Sequence, residues 1–267
     1  MKKPFKSLIC LILSVCLLCV GCVKDGGEEK PTAPESSSDI PVGGTPAPEP
    51  EPKKRVAITF DDGPHNVRTR EIVDELDKYG FSATFFVVGN RVDGGTYNGS
   101  AAIRYIIEHG HEIGVHGYTH KVYYDECTDA EFKDELSKTV GAVKNIVKDY
   151  NIRLMRPVGG YITDKRVQTC QYAVIMWDVD SEDYKYSYQP STTLSEAEKA
   201  ELVDKIVENV MSKVKDGSII LMHDIYLSTS DAVKIILARL YEEGYEVVSV
   251  SELLDDPTPG YKYFGKE

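Results

Sequence analysis

Two histidines four residues apart, His116 and His120, are the residues of this chain whose spacing most directly indicates chemistry. Side chains at i and i+4 lie on one side of a helical turn, so both imidazoles can reach one cation. Asp62 follows an apolar run and could add a third ligand from a strand end. Two His and one carboxylate, with a coordination position left open, suit a divalent metal that activates water. Taken alone, the pair is better explained as one surface and one core histidine, so the metal interpretation depends on the residues described next.

Four further polar residues complete a set that could hydrolyse an amide or an ester. Asp61, beside Asp62, is free to take a proton from water as general base, and His223 could protonate the leaving group. A base that stays ionised and an acid that stays protonated need opposite environments. Arg156 is the candidate that holds Asp61 charged by ion pairing. Asp183 is the candidate that favours the imidazolium form of His223.

Two glycines after Arg156 offer a donor for a developing oxyanion. Gly159 and Gly160 lack side chains, so a substrate can approach a backbone N–H group there closely. Each signal is weak by itself, because adjacent aspartates are usually solvated and an Arg-Pro-x-Gly segment is commonly a turn. The combination of all of them in one chain indicates a catalytic site.

Short apolar runs alternate with longer amphipathic stretches from residue 55 onward, which predicts strands and helices in alternation. Thr128 and Glu131 form a capping-box spacing at the start of one helix. Strands are predicted over 56–60, 83–88, 112–116, 153–156, 173–178, 218–223 and 246–250, and helices over 67–79, 101–109, 128–150, 195–215 and 230–243.

Repeated strand-helix order predicts parallel strands that are joined by right-handed crossovers. About seven such units close more naturally as a barrel than as an open sheet. The predicted fold class is therefore α/β, a distorted parallel (β/α) barrel of about seven strands in one catalytic domain. Active sites of such barrels lie at the carboxyl ends of the strands. The candidate residues at or just past predicted strand ends are Asp61, Asp62, His116, Arg156, Asp180, Asp183 and His223.

In this order the residues resemble the polysaccharide deacetylase family (NodB-homology domain, carbohydrate esterase family four), over nearly all of 53–254. The segment 59–62, Thr-Phe-Asp-Asp, is similar to the first family motif, which implies Asp61 as base and Asp62 as metal ligand. The segment 116–120, His-Gly-Tyr-Thr-His, is similar to the second motif and implies both histidines as ligands.

Three later segments stand at the places of further family motifs. They are 156–160 (Arg-Pro-Val-Gly-Gly), 180–184 (Asp-Ser-Glu-Asp-Tyr) and 221–223 (Leu-Met-His). The last implies His223 as the acid, and Leu221 is expected to contact the substrate. The resemblance also implies a distorted (β/α) barrel and a zinc-type divalent ion, with Co²⁺ or Ni²⁺ as alternatives.

Departures from the family motifs predict an active enzyme with shifted specificity. Gly117 replaces a Ser or Thr whose hydrogen bond would steady the metal loop. Val158 and Gly159 replace Pro and an aromatic residue, which changes the wall of the groove. Tyr184 replaces Trp and makes one hydrophobic side of the acetyl pocket smaller.

Other His and Tyr residues allow structural interpretations. His65 follows a Gly-Pro turn and His111 precedes a strand, so both are expected to be structural. Tyr184, Tyr186 and Tyr188 alternate in one predicted loop. They could stack on sugar rings or merely cover the edge of the barrel, and both roles stay open at this point.

The first 54 residues indicate targeting and tethering. Lysines precede an apolar run that is short for a membrane span, and Cys22 follows it as at a lipoprotein cleavage site, although Cys19 stands where Leu is usual. The Pro-, Glu-, Ser- and Gly-rich sequence that follows is predicted to be disordered. The predicted organisation is a signal peptide over 1–22 with lipidation of Cys22, a linker over 23–54 and a polysaccharide deacetylase domain over 55–267.

The net charge and the cysteine content limit the binding partners and the disulfides that can be expected. A formal net charge of −12 argues against binding to nucleic acid, which needs basic patches. In the predicted catalytic domain only Cys127 and Cys170 remain, and a disulfide and two free thiols are both open. A monomer is expected, tethered to the outer face of the bacterial cell membrane by its lipid, with ordinary secretion as the alternative.

The leading hypothesis is a metal-dependent hydrolase that removes N-acetyl groups from a cell-surface glycan, with peptidoglycan amino sugars as the first choice of substrate. Chitin oligomers and O-acetylated xylan are the alternatives within the enzyme class. A second class is a non-catalytic carbohydrate-binding or solute-binding lipoprotein, which would share the leader and the linker. Such a protein has no reason to place Asp61 and His223 beside three metal ligands.

Overall fold

The apolar run after Arg55 forms the centre of the sheet, as its β-branched and aromatic residues predict. A computed structural model describes residues 53–94 and 99–266, which lie within one compact unit, Pro50–Glu267. All pairs between the named strands are parallel. The strands are β1 (Lys54–Asp61), β2 (Thr84–Val87), β3 (Glu112–Val115), β4 (Leu154–Met155), β5 (Ala173–Ile175), β6 (Val179–Asp180), β7 (Ile219–His223), β8 (Tyr245–Val247) and β9 (Lys262–Tyr263).

The sheet order is β6-β7-β1-β2-β3-β4-β5-β9, with β8 paired to the first residues of β1. The predicted distorted parallel barrel is confirmed in the form of a curled half-barrel sheet with helices. The third strand in this order, β1, is internal and has neighbours on both sides. Residues at the carboxyl end of β1 therefore lie between the carboxyl ends of its neighbours and not at the margin of the sheet.

Helices follow the strands at the predicted places. The capping box of Thr128 and Glu131 is present, with both reciprocal hydrogen bonds. The helix predicted over 128–150 is α-helical only to Lys144 and continues as turns. The helices are α1 (Arg68–Asp77), α2 (Gly89–Asp93), α3 (Gly99–Glu108), α4 (Asp129–Lys144), α5 (Asp164–Thr169), α6 (Glu196–Met211), α7 (Leu227–Glu242) and α8 (Val250–Leu253).

Two predicted strands end three residues earlier than expected, for reasons visible in the structure. The segment 173–178 is not one strand, because the carbonyls of Ile175 and Met176 accept hydrogen bonds from the Arg156 guanidinium at 3.1 and 2.8 Å. The strand predicted over 246–250 ends at Val247, because Ser249 caps α8 by accepting from the backbone N–H of Glu252.

Alternation along β1 assigns its side chains to two cores. Val56, Ile58 and Phe60 pack into the large core beneath the helices, whereas Ala57 belongs to a smaller cluster on the opposite face of the sheet. Side chains two residues apart share a face of a strand, so Asp61 lies on the same face as Ala57. The fold therefore places Asp61 on the inner face of the curl.

The predicted signal peptide, Cys22 and nearly all of the linker lie outside the described residues. Lys54, the last residue of the predicted linker, already begins β1. Among the described residues, no helix combines the length and the apolar character needed to cross a bilayer.

Candidate active site

Strand register brings the predicted site residues together. Asp61, the last residue of β1, lies directly opposite His223, the last residue of β7. Val115 of β3 pairs with Met155 of β4, so the next residues along the chain, His116 and Arg156, emerge side by side. The rule that parallel strands present their carboxyl ends at one edge thus places these four residues at one site.

Asp62, His116 and His120 form a cluster that could hold a metal ion. One donor atom from each lies within 4.8 Å of the others. His120 Nε2 is 2.8 Å and His116 Nε2 is 3.5 Å from Asp62 Oδ1. The predicted ligand set is therefore assembled as a compact group of two ring nitrogens and one carboxylate.

The chemistry of this cluster fits a divalent cation. Asp62 Oδ1 is buried and accepts no well-aligned hydrogen bond from the described residues, despite its closeness to His120. His116 Nδ1 lies 2.9 Å from the backbone carbonyl of Arg156, to which it can donate, which leaves Nε2 as the lone-pair donor. Burial lowers the pKa of His116 and favours its neutral, ligating form. Burial opposes ionisation of Asp62, but the contact with His120 and the nearby imidazoles hold its pKa below the ordinary range.

The geometric premise behind the histidine pair is wrong. His116 and His120 lie on a loop after β3 and not on a helical turn, because Gly117 and His120 have φ angles of 81° and 58°. The loop still brings the two rings to a centroid distance of 5.3 Å. The i and i+4 spacing therefore selected two rings that lie close together, but through a conformation that the chain does not adopt.

Glu135 on α4 holds this loop, and the sequence analysis missed it. Its carboxylate accepts from the backbone N–H groups of Tyr118 and Thr119 at 2.7 and 2.9 Å, and from the Thr119 hydroxyl at 2.8 Å. The Thr139 hydroxyl donates to the carbonyl of Gly117 at 2.7 Å. These bonds steady the loop although Gly117 offers no hydroxyl of its own. The available signal was a charged residue on the apolar stripe of a helix.

Asp61 is held by a fully buried arginine. Arg156 Nη1 lies 2.9 Å from Asp61 Oδ1 and donates to the Thr59 hydroxyl at 2.7 Å. The guanidinium packs 4.3 Å from the centroid of the Phe86 ring. The other carboxylate oxygen of Asp61 lies 3.7 Å from His116 Nε2. The predicted Arg156–Asp61 pair is therefore present, with one carboxylate oxygen directed to the candidate ligands.

His223 is oriented by a second buried carboxylate. Asp183 lies 2.7 Å from His223 Nδ1 and accepts the backbone N–H of His223 and the Thr229 hydroxyl, each also at 2.7 Å. Burial opposes the charged imidazole, but the Asp183 carboxylate outweighs it and raises the pKa of His223 to about 9. The ring is therefore protonated at neutral pH, as expected of a proton donor.

A cavity of about 290 Å³ joins these groups. Asp61, Asp62, His116, His120 and His223 all line it, together with Gly159, Tyr184 and Leu221 from the predicted substrate residues. Gly160, the fourth of the predicted substrate residues, has a different role. Its N–H donates to the carbonyl of Pro157 at 2.9 Å, so it is not a free oxyanion donor. Tyr123, Val158, Tyr161, Trp177 and Asp180 complete the lining.

The alternating tyrosines lie in different surroundings. Tyr184 is exposed in the cavity, with its ring 6.0 Å from that of His223. Tyr188 is buried and donates to Asp231 at 2.7 Å, and Tyr186 packs against the core.

The remaining histidines and cysteines lie elsewhere. His65 Nδ1 accepts from the first N–H groups of α1, and buried His111 Nδ1 accepts from Ala83 N–H, which are structural roles. Cys127 and Cys170 are free thiols.

Comparison with known proteins agrees with this arrangement. Residues 49–175 match the family model described as polysaccharide deacetylase. The chain is 36% identical over 204 residues to the peptidoglycan-N-acetylmuramic acid deacetylase PdaC of Bacillus subtilis, and this match covers 75% of the chain and 39% of that protein. It is 32% identical over 211 residues to a peptidoglycan-N-acetylglucosamine deacetylase of Bacillus cereus, covering 77% of the chain and 90% of that protein.

Comparison with solved structures indicates the same family. The structure of a family 4 acetyl xylan esterase from Clostridium thermocellum, in complex with a cobalt ion, superposes with a TM-score of 0.67 at 30% identity. That match covers 79% of this chain and 98% of the esterase chain. The chain belongs to the polysaccharide deacetylase family, and the resemblance found in its motifs is confirmed. It spans about two fifths of the length of PdaC.

Proposed function

We propose that this protein is a metal-dependent hydrolase that removes N-acetyl groups from a glycan. One observation carries the proposal: a buried ion-paired Asp61 and a His223 that is bonded to Asp183 lie in one cavity with the Asp62, His116 and His120 cluster. A binding protein gains nothing from a base and an acid on either side of a metal cluster. Family membership supports the same activity.

The three-residue cluster would hold Zn²⁺, or Co²⁺ or Ni²⁺. When bound, such an ion would polarise the acetyl carbonyl and lower the pKa of the attacking water. Nitrogen and carboxylate donors suit all three metals. The relative from Clostridium thermocellum, whose structure contains a cobalt ion, supports a divalent metal of this kind.

The chain's own residues divide the proton transfers. Asp61, which is ion-paired with Arg156, accepts the proton of the attacking water. His223 gives its proton to the leaving amine, and Asp183 keeps the imidazolium in place for that transfer. Gly159, which lines the cavity, could offer a backbone donor to the oxygen of the acetyl group.

Peptidoglycan amino sugars are the proposed substrate, and the names of the relatives from Bacillus support this choice. The relative named acetyl xylan esterase keeps O-acetylated xylan as a second candidate. Acetate release should be measured for the full-length protein on peptidoglycan, chitin oligomers and acetylated xylan, with and without a chelator. The expected result is chelator-sensitive release from peptidoglycan. No release from any substrate would contradict the enzyme proposal and favour a non-catalytic binding protein.

The pH–rate profile should report the proton donor. The raised pKa of His223 means that its proton is held at neutral pH and lost as the pH rises through about 9, so activity should fall on the alkaline side. A cation bound at Asp62 would lower this pKa. Asp183→Asn should move the alkaline limb of kcat/KM to lower pH, because the imidazolium loses its stabilising charge. The surface variant Asp164→Asn should leave the limb unchanged. An alkaline limb that stays in place in Asp183→Asn would contradict the role of His223.

We further propose that the protein is anchored outside the cytoplasm through a lipid on Cys22. Cys22→Ser should move the full-length protein from the membrane fraction to the soluble fraction, because the acyl chains hold it to the bilayer. Immunoblots of the two fractions give the measurement, and Cys19→Ser is the matched control that should stay with the membrane. Equal membrane association of wild type and Cys22→Ser would contradict the anchor without affecting the enzyme proposal.

A further inference from the structure

Tyr161 occupies the space beside Gly159 where this chain departs from its family. Gly159 has a φ of 62°, and a Cβ atom there would lie 2.8 Å from two carbons of the Tyr161 ring. A side chain at position 159 would therefore be strained and would displace the Tyr161 ring. The motif places an aromatic residue at 159, whereas here the aromatic ring comes from two residues later and covers the same backbone.

Tyr161 is paired with a second exposed tyrosine. The ring centroids of Tyr123 and Tyr161 are 5.3 Å apart with an edge-to-face angle of 73°. Their backbone is anchored: Tyr124 is buried, its N–H donates to the carbonyl of Tyr161 at 3.2 Å, and it forms a parallel bridge with Ile162. Even so, Tyr123 and Tyr161 remain 49% and 54% exposed.

The Tyr123–Tyr161 pair lies at the active-site cavity, beside the catalytic groups. Both rings line the same cavity as Asp61 and His223. At about 290 Å³, that cavity is just below the range of roughly 300–1,000 Å³ that is typical of ligand pockets. It suits one sugar unit, so the neighbouring units of a glycan must pass over its rim.

Resting on the proposed function, we propose that Tyr123 and Tyr161 form a stacking platform for the sugar ring next to the one that loses its acetyl group. Exposed aromatic faces attract the apolar C–H face of a pyranose ring, and tyrosine hydroxyls can bond its edge. A platform anchored by its backbone loses little freedom on binding. The substrate class that it selects is a glycan chain of several rings and not a single acetylated sugar.

The test is the dependence of activity on chain length in the full-length, metal-loaded protein. The kcat/KM values for the N-acetylglucosamine pentamer and for the N-acetylglucosamine monomer, which has no neighbouring ring, are compared. Tyr161→Ala should lower the pentamer value by about 5- to 10-fold, the worth of one aromatic contact. The monomer value should stay within about twofold, which also shows that the variant is folded. Tyr161→Phe, which keeps the ring, should behave as wild type. Tyr241→Ala removes an exposed tyrosine outside the cavity and should change neither value.

Two results would overturn the platform. One is an equal loss for the monomer and the pentamer in Tyr161→Ala. The other is an unchanged chain-length preference in the Tyr123→Ala/Tyr161→Ala double variant. Trp177, the single tryptophan of the chain, lines the cavity and reports binding by its fluorescence. If the wild type releases no acetate, the proposed function fails, and a fluorescence titration with the pentamer still tests the platform. Equal pentamer affinity in wild type and double variant would then refute it.

Discussion

Replacing His116 with alanine is expected to weaken zinc binding by orders of magnitude and to lower acetate release by about 100-fold or more. His116 Nε2 is one of three donor atoms that lie within 4.8 Å of one another, and its ring is already oriented by the carbonyl of Arg156. Removing one of three protein ligands leaves too few to compete with water. Asp62→Ala and His120→Ala should also weaken zinc binding and lower acetate release.

Zinc content of the purified full-length variants, followed by calorimetric titration of the metal-free proteins, measures this effect. His109→Ala is the matched control, because His109 pairs with Asp77 at 2.5 Å and does not line the cavity. It should keep the wild-type zinc content. A wild-type protein that binds no divalent ion on titration, or a His116→Ala/His120→Ala variant that binds one as tightly as wild type, would refute the metal site.

Asp61→Asn should give the second large effect, a loss of roughly 10²- to 10⁴-fold in turnover with zinc retained. Asp62 and both histidines are untouched by the change, whereas the amide cannot accept the proton of the attacking water. Asn can still accept a hydrogen bond from Arg156, but the buried cation loses its counter-charge. Removing one partner of a buried ion pair lowers the free energy of unfolding by about 3–5 kcal/mol, so the melting temperature should also fall.

Turnover of Asp61→Asn must therefore be measured well below its own melting temperature and alongside its zinc content. Thr59→Val provides a comparison, because it removes the other side-chain acceptor of Arg156 Nη1 but leaves the carboxylate. It should reduce stability while keeping far more activity than Asp61→Asn. Near wild-type turnover in a zinc-loaded Asp61→Asn protein would leave the proposed mechanism without its base.

The position of the site could be predicted because it follows from repeating local patterns. Apolar strands, each followed by an amphipathic helix, predict a parallel sheet, and such a sheet collects Asp61, His116 and His223 at one end. The register that sets Asp61 opposite His223 then follows from strand pairing, which no single segment encodes. This is why the residues of the site were predictable while their distances were not.

The supporting residues could not be predicted because their roles depend on tertiary contacts. Glu135 lies in the middle of a helix and Thr229 in the first turn of another, and neither belongs to a motif. Their partners, the loop after β3 and Asp183, are distant in the chain. The loop conformation itself was mispredicted as helical, since i and i+4 spacing cannot distinguish a helix from a loop with positive φ angles.

The Glu135 carboxylate, which bonds α4 to the loop after β3, also couples the fluctuations of these two segments. Glu135 accepts two consecutive backbone N–H groups between His116 and His120, so opening the middle of α4 also releases the loop. The two segments should therefore exchange their amide hydrogens with solvent as one cooperative unit. A ligand that binds only the closed loop should slow exchange along α4 in proportion to its occupancy, although α4 contributes no donor atom to the cluster.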